Sequence, residues 1–424
     1  MTPRDLLLES FRAAVAAADP LHIVPAHLPT PPRGRTLVIG AGKAAASMAA
    51  AVEGRWPSAA PLGGLVITRY GHGLPLQRIR CVEAGHPVPD ESGERAAREI
   101  LAMVQSLGLD DLLLALVSGG GSSLLSLPAA GVSMADLKAV TSQLLMCGAT
   151  IQEINTVRKH LSAIQGGRLA AACRAPVRAL VISDVTGDDP THIASGPCAP
   201  DITTYADALE VLARYGVTPP ASVLSRLQSG LRGEIDETPK PGDPVLARSE
   251  NRVIATAHRS LEAAAAVFRA QGIATAILGD AITGEAQEVG KVMAALALEI
   301  RTHGGPFKPP VALISGGECT VTVRGKGGRG GRCSEFLLSL AVQLAGLGGV
   351  HALAADTDGI DGSEDNAGAL LSPDSLARAT SAGINPRSLL AANDAWGFFS
   401  ALDDLVVTGP TLTNVNDYRA ILVT

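Results

Sequence analysis

The chain has 424 residues, beyond the length at which one hydrophobic core keeps growing, and 46% of them are apolar, so two domains are expected. Aromatic residues make up 3%, which leaves Ala, Val, Leu and Ile to build the cores. A net charge of −6 gives no general attraction for nucleic acid, and no apolar run approaches the ~20 residues of a membrane span, so any phosphate binding must come from local sites.

The elements follow in chain order. Residues 1–20 read as an amphipathic helix with Leu7, Phe11 and Ala14 or Val15 on one face, without the basic-then-apolar order of a secretion signal. A Pro-rich connector at 27–32 leads to an apolar strand at 36–39, a turn of Gly40, Ala41, Gly42 and Lys43, and an Ala-rich helix to about 53. Strands are expected at 65–68, 79–83, 112–117 and 177–183, and helices at 91–105, 133–147 and 151–173. The polar, Pro-bearing stretch 230–250 reads as a boundary. Beyond it come a strand at 253–257, a helix at 258–270, a strand at 274–278 and a helix at 283–303. Strands at 311–315 and 320–323, a helix from 333, a strand at 351–355, short helices and strands at 405–408 and 420–423 complete the chain. This alternation predicts an α/β fold: two α/β/α domains with mostly parallel sheets, 1–235 being Rossmann-like and 236–424 the second. The six cysteines lack any CxxC or metal spacing and read as reduced thiols of a cytoplasmic protein.

In open α/β sheets ligands gather at the carboxyl ends of strands, so the residues just after each apolar run carry the functional argument. Gly40 and Gly42 let backbone approach an anion at a helix N-terminus, and Lys43 adds a full charge in the same turn. The bland alternative is a tight turn with a solvated lysine. Ser118, Gly119, Gly120, Gly121 and Ser122, at the end of the 112–117 strand, read as an oxyanion nest or else a flexible loop. Asp184, Asp188 and Asp189 crowd another strand end and suit Mg²⁺, unless they form a solvated acidic turn; His192 in the same loop reads as incidental. The loop Gly325-Lys326-Gly327-Gly328-Arg329-Gly330-Gly331-Arg332 reads as a mobile clamp for polyphosphate. The segment from Asp356 through Asp358 to Gly362 is a second candidate for holding a metal or substrate hydroxyls, and the loop 408–417, with Asn414, adds polar groups at a late strand end. Cationic glycine turns, a neutral nest and carboxylate pairs are together what phosphoryl transfer needs.

The segments VIGAGKAAASMA, GHPVPDESGERAA, LVSGGGSSLLSLP, EINTVRKHLSAIQGGRLA, SDVTGDDPTHIASGP, GKGGRGGR, AADTDGIDG and TGPTLTNVND, taken in that order, resemble the glycerate 2-kinase family, the class II glycerate kinases, some of which carry the label hydroxypyruvate reductase. The resemblance runs from about residue 5 to 420 and implies a MOFRL region at about 310–420 and an active site in an interdomain cleft. It also implies ATP as co-substrate with a divalent metal, and D-glycerate as acceptor at its 2-hydroxyl. Lys43 and Arg332 match the family's key lysine and arginine, and His86 joins the Ser118–Ser123 segment as a candidate for holding glycerate or phosphate. The chain departs from the family at Cys333 and Ser334, where Asn and Gln are common, and at Leu412, where Gly is common. The partners implied are small molecules, with neither nucleic acid nor membrane among them and a homodimer as the candidate assembly. The rival class, an NAD(P)H-dependent hydroxypyruvate reductase, lacks support in the first turn: Ala45 stands where the third glycine of a dinucleotide fingerprint belongs, and the acid Glu53 falls inside the first helix.

Overall fold

Apolar runs buried on both faces become the central strands of a parallel sheet in residues 20–254. In this computed structural model, which describes residues 1–324 and 327–424, strands β1 (Thr36–Ala41), β2 (Leu62–Arg69), β3 (Ile79–Ala84), β4 (Leu112–Val117), β5 (Val177–Ile182) and β6 (Ser249–Ala255) lie in the order β3-β2-β1-β4-β5-β6. β1 pairs in parallel with both β2 and β4, so Gly40 stands opposite Val66 on one side and Leu116 on the other. β2–β3 and β4–β5 are parallel too. Alternate residues Leu37, Ile39 and Ala41 meet Ala96, Ala97, Ile100 and Val104 of the helix Glu91–Gln105, which Asp90 caps by accepting from Gly93 N at 2.9 Å. A separate all-helical cluster gathers Leu137, Val140, Leu144, Ile154, Val157, Tyr205, Val211, Val223 and Leu227 from the helices Met134–Met146, Ile151–His160, Tyr205–Arg214 and Ala221–Leu231.

The second compact unit comprises residues 1–19 together with 255–424. Its strands are β7 (Ala274–Gly279), β8 (Gly284–Glu285), β9 (Val311–Gly317), β10 (Cys319–Thr320), β11 (Val350–Asp356), β12 (Gly368–Leu371), β13 (Leu405–Val406) and β14 (Asp417–Val423). Six of them order as β13-β12-β11-β14-β9-β7, while β8 and β10 pair apart. One face, with Leu313, Ala352 and Ala354, packs on the helices Ala286–His303 and Arg332–Leu344. The other, with Ala312, Ile314, Leu353 and Ala355, packs on the helices Pro3–Ala16 and Ala257–Ala270.

Several expectations change: the strands expected at 320–323 and 405–408 are only the two-residue β10 and β13, and Gly40 and Ala41 belong to β1 rather than to the turn after it. The predicted helix 151–173 ends at His160, with Leu161 leaving helical backbone at φ −101° and ψ 0°; further on, Gly166 and Gly167 take φ of +63° and +80°, and a Cβ on Gly167 would stand 2.8 Å from the Ala199 carbonyl. Only a short turn, Arg168–Ala171, follows. The second sheet is not mostly parallel: β11–β12, β11–β14, β12–β13 and β9–β14 are antiparallel, and only β7–β9 is parallel. The packed units also differ from the expected 1–235 and 236–424 division, since the first helix joins the C-terminal sheet and the change of unit falls after residue 254. Among the described residues no helix is long and apolar enough to cross a membrane.

Candidate active site

In the order β3-β2-β1-β4-β5-β6 the chain direction of winding reverses between β1 and β4, and the crevice beyond their carboxyl ends is where doubly wound sheets take ligands. The two glycine turns after those strands are laced together there. Lys43 N donates to the Gly119 carbonyl at 2.8 Å, Ala44 N to Ser118 Oγ at 3.1 Å, and Ser118 N back to the Ala41 carbonyl at 3.1 Å. Gly42 has φ +136°, and a Cβ on it would meet Ser118 Oγ at 2.1 Å. A Cβ on Gly120, at φ +79°, would meet His86 Nε2 at 2.8 Å and Lys43 Cγ at 3.6 Å. Lys43, Gly42, His86 and the Ser118–Gly121 segment, drawn from the ends of β1, β3 and β4, therefore share one small volume with Gly40 beneath it.

The loop after β5 reaches the same place. A Cβ on Gly121 would fall 2.5 Å from Ala194 Cβ, and the Ser122 and Ser195 hydroxyls are 2.8 Å apart. Ala194, Ser195 and Gly196 all take left-handed backbone, φ 51°, 58° and 58°, a strained run held by its surroundings. Residues outside the predicted set do the holding: Arg158 Nη2 and Gln165 Nε2 donate to the Ser122 carbonyl at 2.6 and 2.9 Å, and Ser195 Oγ donates to Asn155 Oδ1 at 3.1 Å. Burial pushes the Arg158 guanidinium down to about 10, so it stays charged at neutral pH. Asp184 leaves the end of β5, Asp188 takes φ 54°, and Asp189 accepts from Thr191 N at 2.9 Å. Although burial works against its charge, the Thr191 hydrogen bonds, then His192 and Lys159, hold Asp189 below the usual carboxylate range. Burial and the Lys159 cation push His192 down. Lys159 is itself buried against Asp201 at 3.3 Å. Among the described residues no three His, Cys, Asp or Glu side chains converge as a ready-made metal shell.

In the second unit Arg332 opens the helix Arg332–Leu344 and is gripped by three carboxylates, each at 2.7 Å: Nε by Asp417, Nη1 by Glu318 and Nη2 by Asp356. Burial opposes the charge, but Asp417, Asp356 and Glu318 raise the pKa of Arg332 well above the ordinary arginine value. Buried Asp361 accepts from Cys333 N at 2.9 Å, Ser334 N at 2.8 Å and Ser334 Oγ at 2.6 Å, and so anchors that helix N-terminus. Asp358 accepts from Ile360 N at 2.8 Å, and Asn414 Oδ1 from Asn416 N at 3.3 Å, both buried. The expected clamp is packed rather than loose over the part described: the Arg329 guanidinium lies 3.5 Å from the Trp396 ring centroid and pairs with Glu364. Lys326 lies outside the described residues. Asp417 and Glu318 were visible in sequence only as members of polar strand-end segments, and Arg158 only as one of three cations in a helical motif.

A family model described as a domain of unknown function (DUF4147) matches residues 6–228, and the MOFRL family model matches 311–417. A D-glycerate 2-kinase of Thermotoga maritima is 40% identical over 422 residues, 98% of this chain and 97% of that one. A protein of Agrobacterium vitis with a provisional hydroxypyruvate reductase name is 54% identical over 425 residues, 100% of this chain and 95% of its own. The crystal structure of a glycerate kinase from Thermotoga maritima superposes with a TM-score of 0.87 at 38% identity, covering 99% of both chains. With a kinase relative matched along nearly its whole length and both halves recognised in order, the chain belongs to the glycerate 2-kinase family.

Proposed function

We propose that this protein transfers the γ-phosphoryl group of ATP to the 2-hydroxyl of D-glycerate, giving 2-phosphoglycerate and ADP. The observation that carries the reading is the seat of Lys43: a cation beside two interlocked glycine turns, at the carboxyl ends of β1 and β4. Backbone without Cβ atoms admits phosphate oxygens closely there, and Lys43 stabilises the charge on the transferred group. Ser118, Ser122 and His86 orient the acceptor acid. Arg332 is the second cation assigned to phosphoryl charge, and Asp356 and Asp417 hold its fork in place. Gly119, Gly120 and Gly121 shape the nest, while Arg329, Lys326, Asp358 and Asn414 are assigned to nucleotide or glycerate. A divalent metal would supply charge neutralisation between phosphates; Asp184, Asp188 and Asp189 do not converge as a ready-made shell, so they would serve it singly or through water, as suits Mg²⁺, which keeps waters and phosphate oxygens for most of its positions. The six free cysteines support a cytoplasmic setting.

The name on the Agrobacterium vitis relative keeps one alternative in view, reduction of hydroxypyruvate by a nicotinamide cofactor. The acid nearest the right sequence distance is already committed, since the Glu53 carboxylate accepts from Gln77 N, Arg78 N and Ile79 N at 2.9, 2.6 and 2.7 Å. β2 ends in Thr68 and Arg69, with no acid for a ribose hydroxyl. The test incubates the protein with D-glycerate, ATP and Mg²⁺ and follows ADP, beside hydroxypyruvate with NADH. ADP release that depends on glycerate, with NADH untouched, is the expected result. NADH consumption without ADP would overturn the kinase reading.

A further inference from the structure

A second cationic hollow lies in the residue 20–254 unit, and none of its lining residues is among those assigned above. It is an open depression of about 680 Å³ lined by Arg168, Arg226 and Lys240 together with Thr238 and the alanines of 129–130 and 171–172. That volume sits within the range of small-molecule sites. Its two guanidiniums are unusual in their company. Among the described residues neither forms an ion pair with a carboxylate; instead each is held by neutral oxygen. Arg168 Nη2 donates to Tyr205 Oη at 3.1 Å, and Arg168 Nε is buried with no partner. Arg226 Nε donates to the His160 carbonyl at 3.1 Å and Nη1 to the Ala130 carbonyl at 3.4 Å. Burial, and then the like charge of Arg168, hold Arg226 below the ordinary arginine value, although Tyr205 works in the opposite sense.

The acids on the wall do not relieve this charge. Glu237 is engaged by Tyr205 N at 2.9 Å, His160 Nε2 at 3.3 Å and Lys240 Nζ at 3.2 Å. Asp243 accepts from Val245 N at 3.0 Å to cap its own short turn. Asp236 is exposed at the rim. Lys240 is used up between Glu237, the Thr203 carbonyl and Thr238 Oγ1. Two partly buried positive groups that repel one another, one with an N–H left over, are incomplete without a counter-charge. The fork geometry of guanidinium matches a tetrahedral dianion on two edges, and a phosphate monoester brings the charge of about −2 that the pair lacks.

We propose that this hollow is a binding site for the phosphate of a small phosphorylated metabolite, held between Arg168 and Arg226 and separate from the phosphoryl-transfer site. The inference does not rest on the kinase reading, since its readout is binding alone. Calorimetric titration of the intact Lys43→Ala protein with glycerol 2-phosphate, inorganic phosphate and malonate in parallel tests it, because that variant weakens the proposed catalytic phosphate seat and leaves the hollow intact. The expected result is one equivalent of glycerol 2-phosphate bound, with affinity falling at least tenfold in Lys43→Ala/Arg226→Gln and in Lys43→Ala/Arg168→Gln. Tighter binding of inorganic phosphate than of the ester supports the anion seat and assigns the ligand as the free ion. No binding heat in the Lys43→Ala protein overturns the proposal whatever the variants do. Equal binding of malonate, or binding that survives both arginine substitutions in folded protein, overturns it as well.

Discussion

Gly42 and Lys43 show how little side-chain volume the β1 turn tolerates and how much charge it concentrates. A methyl at position 42 has to enter the space of Ser118 Oγ at 2.1 Å and the Ser118 carbonyl at 2.5 Å, from a φ of +136° that side chains rarely adopt. Gly42→Ala is expected to cost about 2 kcal/mol or more. It should also pull Lys43 N from the Gly119 carbonyl, so lost thermal stability should come with lost activity; a variant with wild-type Tm and kcat would contradict this account. Lys43→Ala is the opposite case. Its side chain is not part of either core, so removing it should lower kcat about a hundredfold or more while Tm stays close to that of the parent. An unchanged kcat for ADP release would remove Lys43 from the phosphoryl site. At this scale much of the candidate site was readable, because Gly42, Lys43 and Ser118–Ser122 come directly after an apolar strand, whereas Gly40 proves to be a paired residue of β1. Arg158, Gln165 and Asn155 were not, since they act by holding the Ser122 carbonyl and Ser195, and such contacts across the fold leave no local signature.

Two helices carry the site's supporting groups, and their N-termini are where they can be tested. Helix Ile151–His160 begins with a capping box: Thr150 Oγ1 accepts from Glu153 N, and the Glu153 carboxylate accepts from Thr150 N at 2.9 Å and Thr150 Oγ1 at 2.8 Å. The Thr150 backbone N–H, the Tyr215 hydroxyl, the Thr150 hydroxyl and the Arg214 guanidinium lower Glu153 from 4.5 to about 2. A depressed carboxylate adds stability that is fully present above its unfolded value and is lost as pH falls through its folded one. The helix should therefore loosen between pH 4.5 and about 2, and Glu153→Gln should flatten the fall of Tm over that window. Parallel Tm-versus-pH curves for the two proteins would refute the assignment. Helix Arg332–Leu344 depends on Asp361 in the same way, with three donors on one buried carboxylate. Asp361→Asn keeps one acceptor oxygen and should cost about 1–2 kcal/mol in chemical denaturation, with reduced activity because Arg332 is the first residue of that helix. Wild-type denaturation and activity would show that the cap does not position Arg332. Most helices and strands were legible from apolar spacing. Strand direction in the second sheet was not, because β9, β11 and β14 are buried along their whole or nearly whole length and read alike whichever way they run.

The assignment of residues 1–19 is the least local feature of the molecule, since those residues pack with 255–424 although 235 residues intervene. Its amphipathic face was readable, but its destination was not: Leu6, Leu7, Phe11 and Ala14 would suit any apolar surface. What selects the C-terminal sheet is a set of particular contacts. Phe11 lies 5.9 Å from the Tyr418 ring, the Tyr418 hydroxyl donates to Ser10 Oγ at 2.8 Å, Thr413 Oγ1 donates to the Ala18 carbonyl at 2.8 Å, and Arg4 pairs with Asp404 at 2.9 Å. The first two hold β14, the strand that begins with the Asp417 carboxylate on Arg332, and the third holds the loop just before it. Removing residues 1–19 should therefore uncover the part of that face formed by β11 and β14, with Leu353, Ala355, Ala420 and Leu422, while the helix Ala257–Ala270 still covers β9, and loosen the grip on Arg332. In hydrogen-exchange mass spectrometry of the truncated protein, peptides covering β11 and β14 should lose protection while those covering β1, β4 and β5 keep it. Phe11→Ala should reproduce the pattern in milder form, at about 3 kcal/mol in chemical denaturation. If protection instead fell first in β1, β4 and β5, the first helix would be supporting the other sheet, and the route by which it reaches Arg332 through β14 would have to be abandoned.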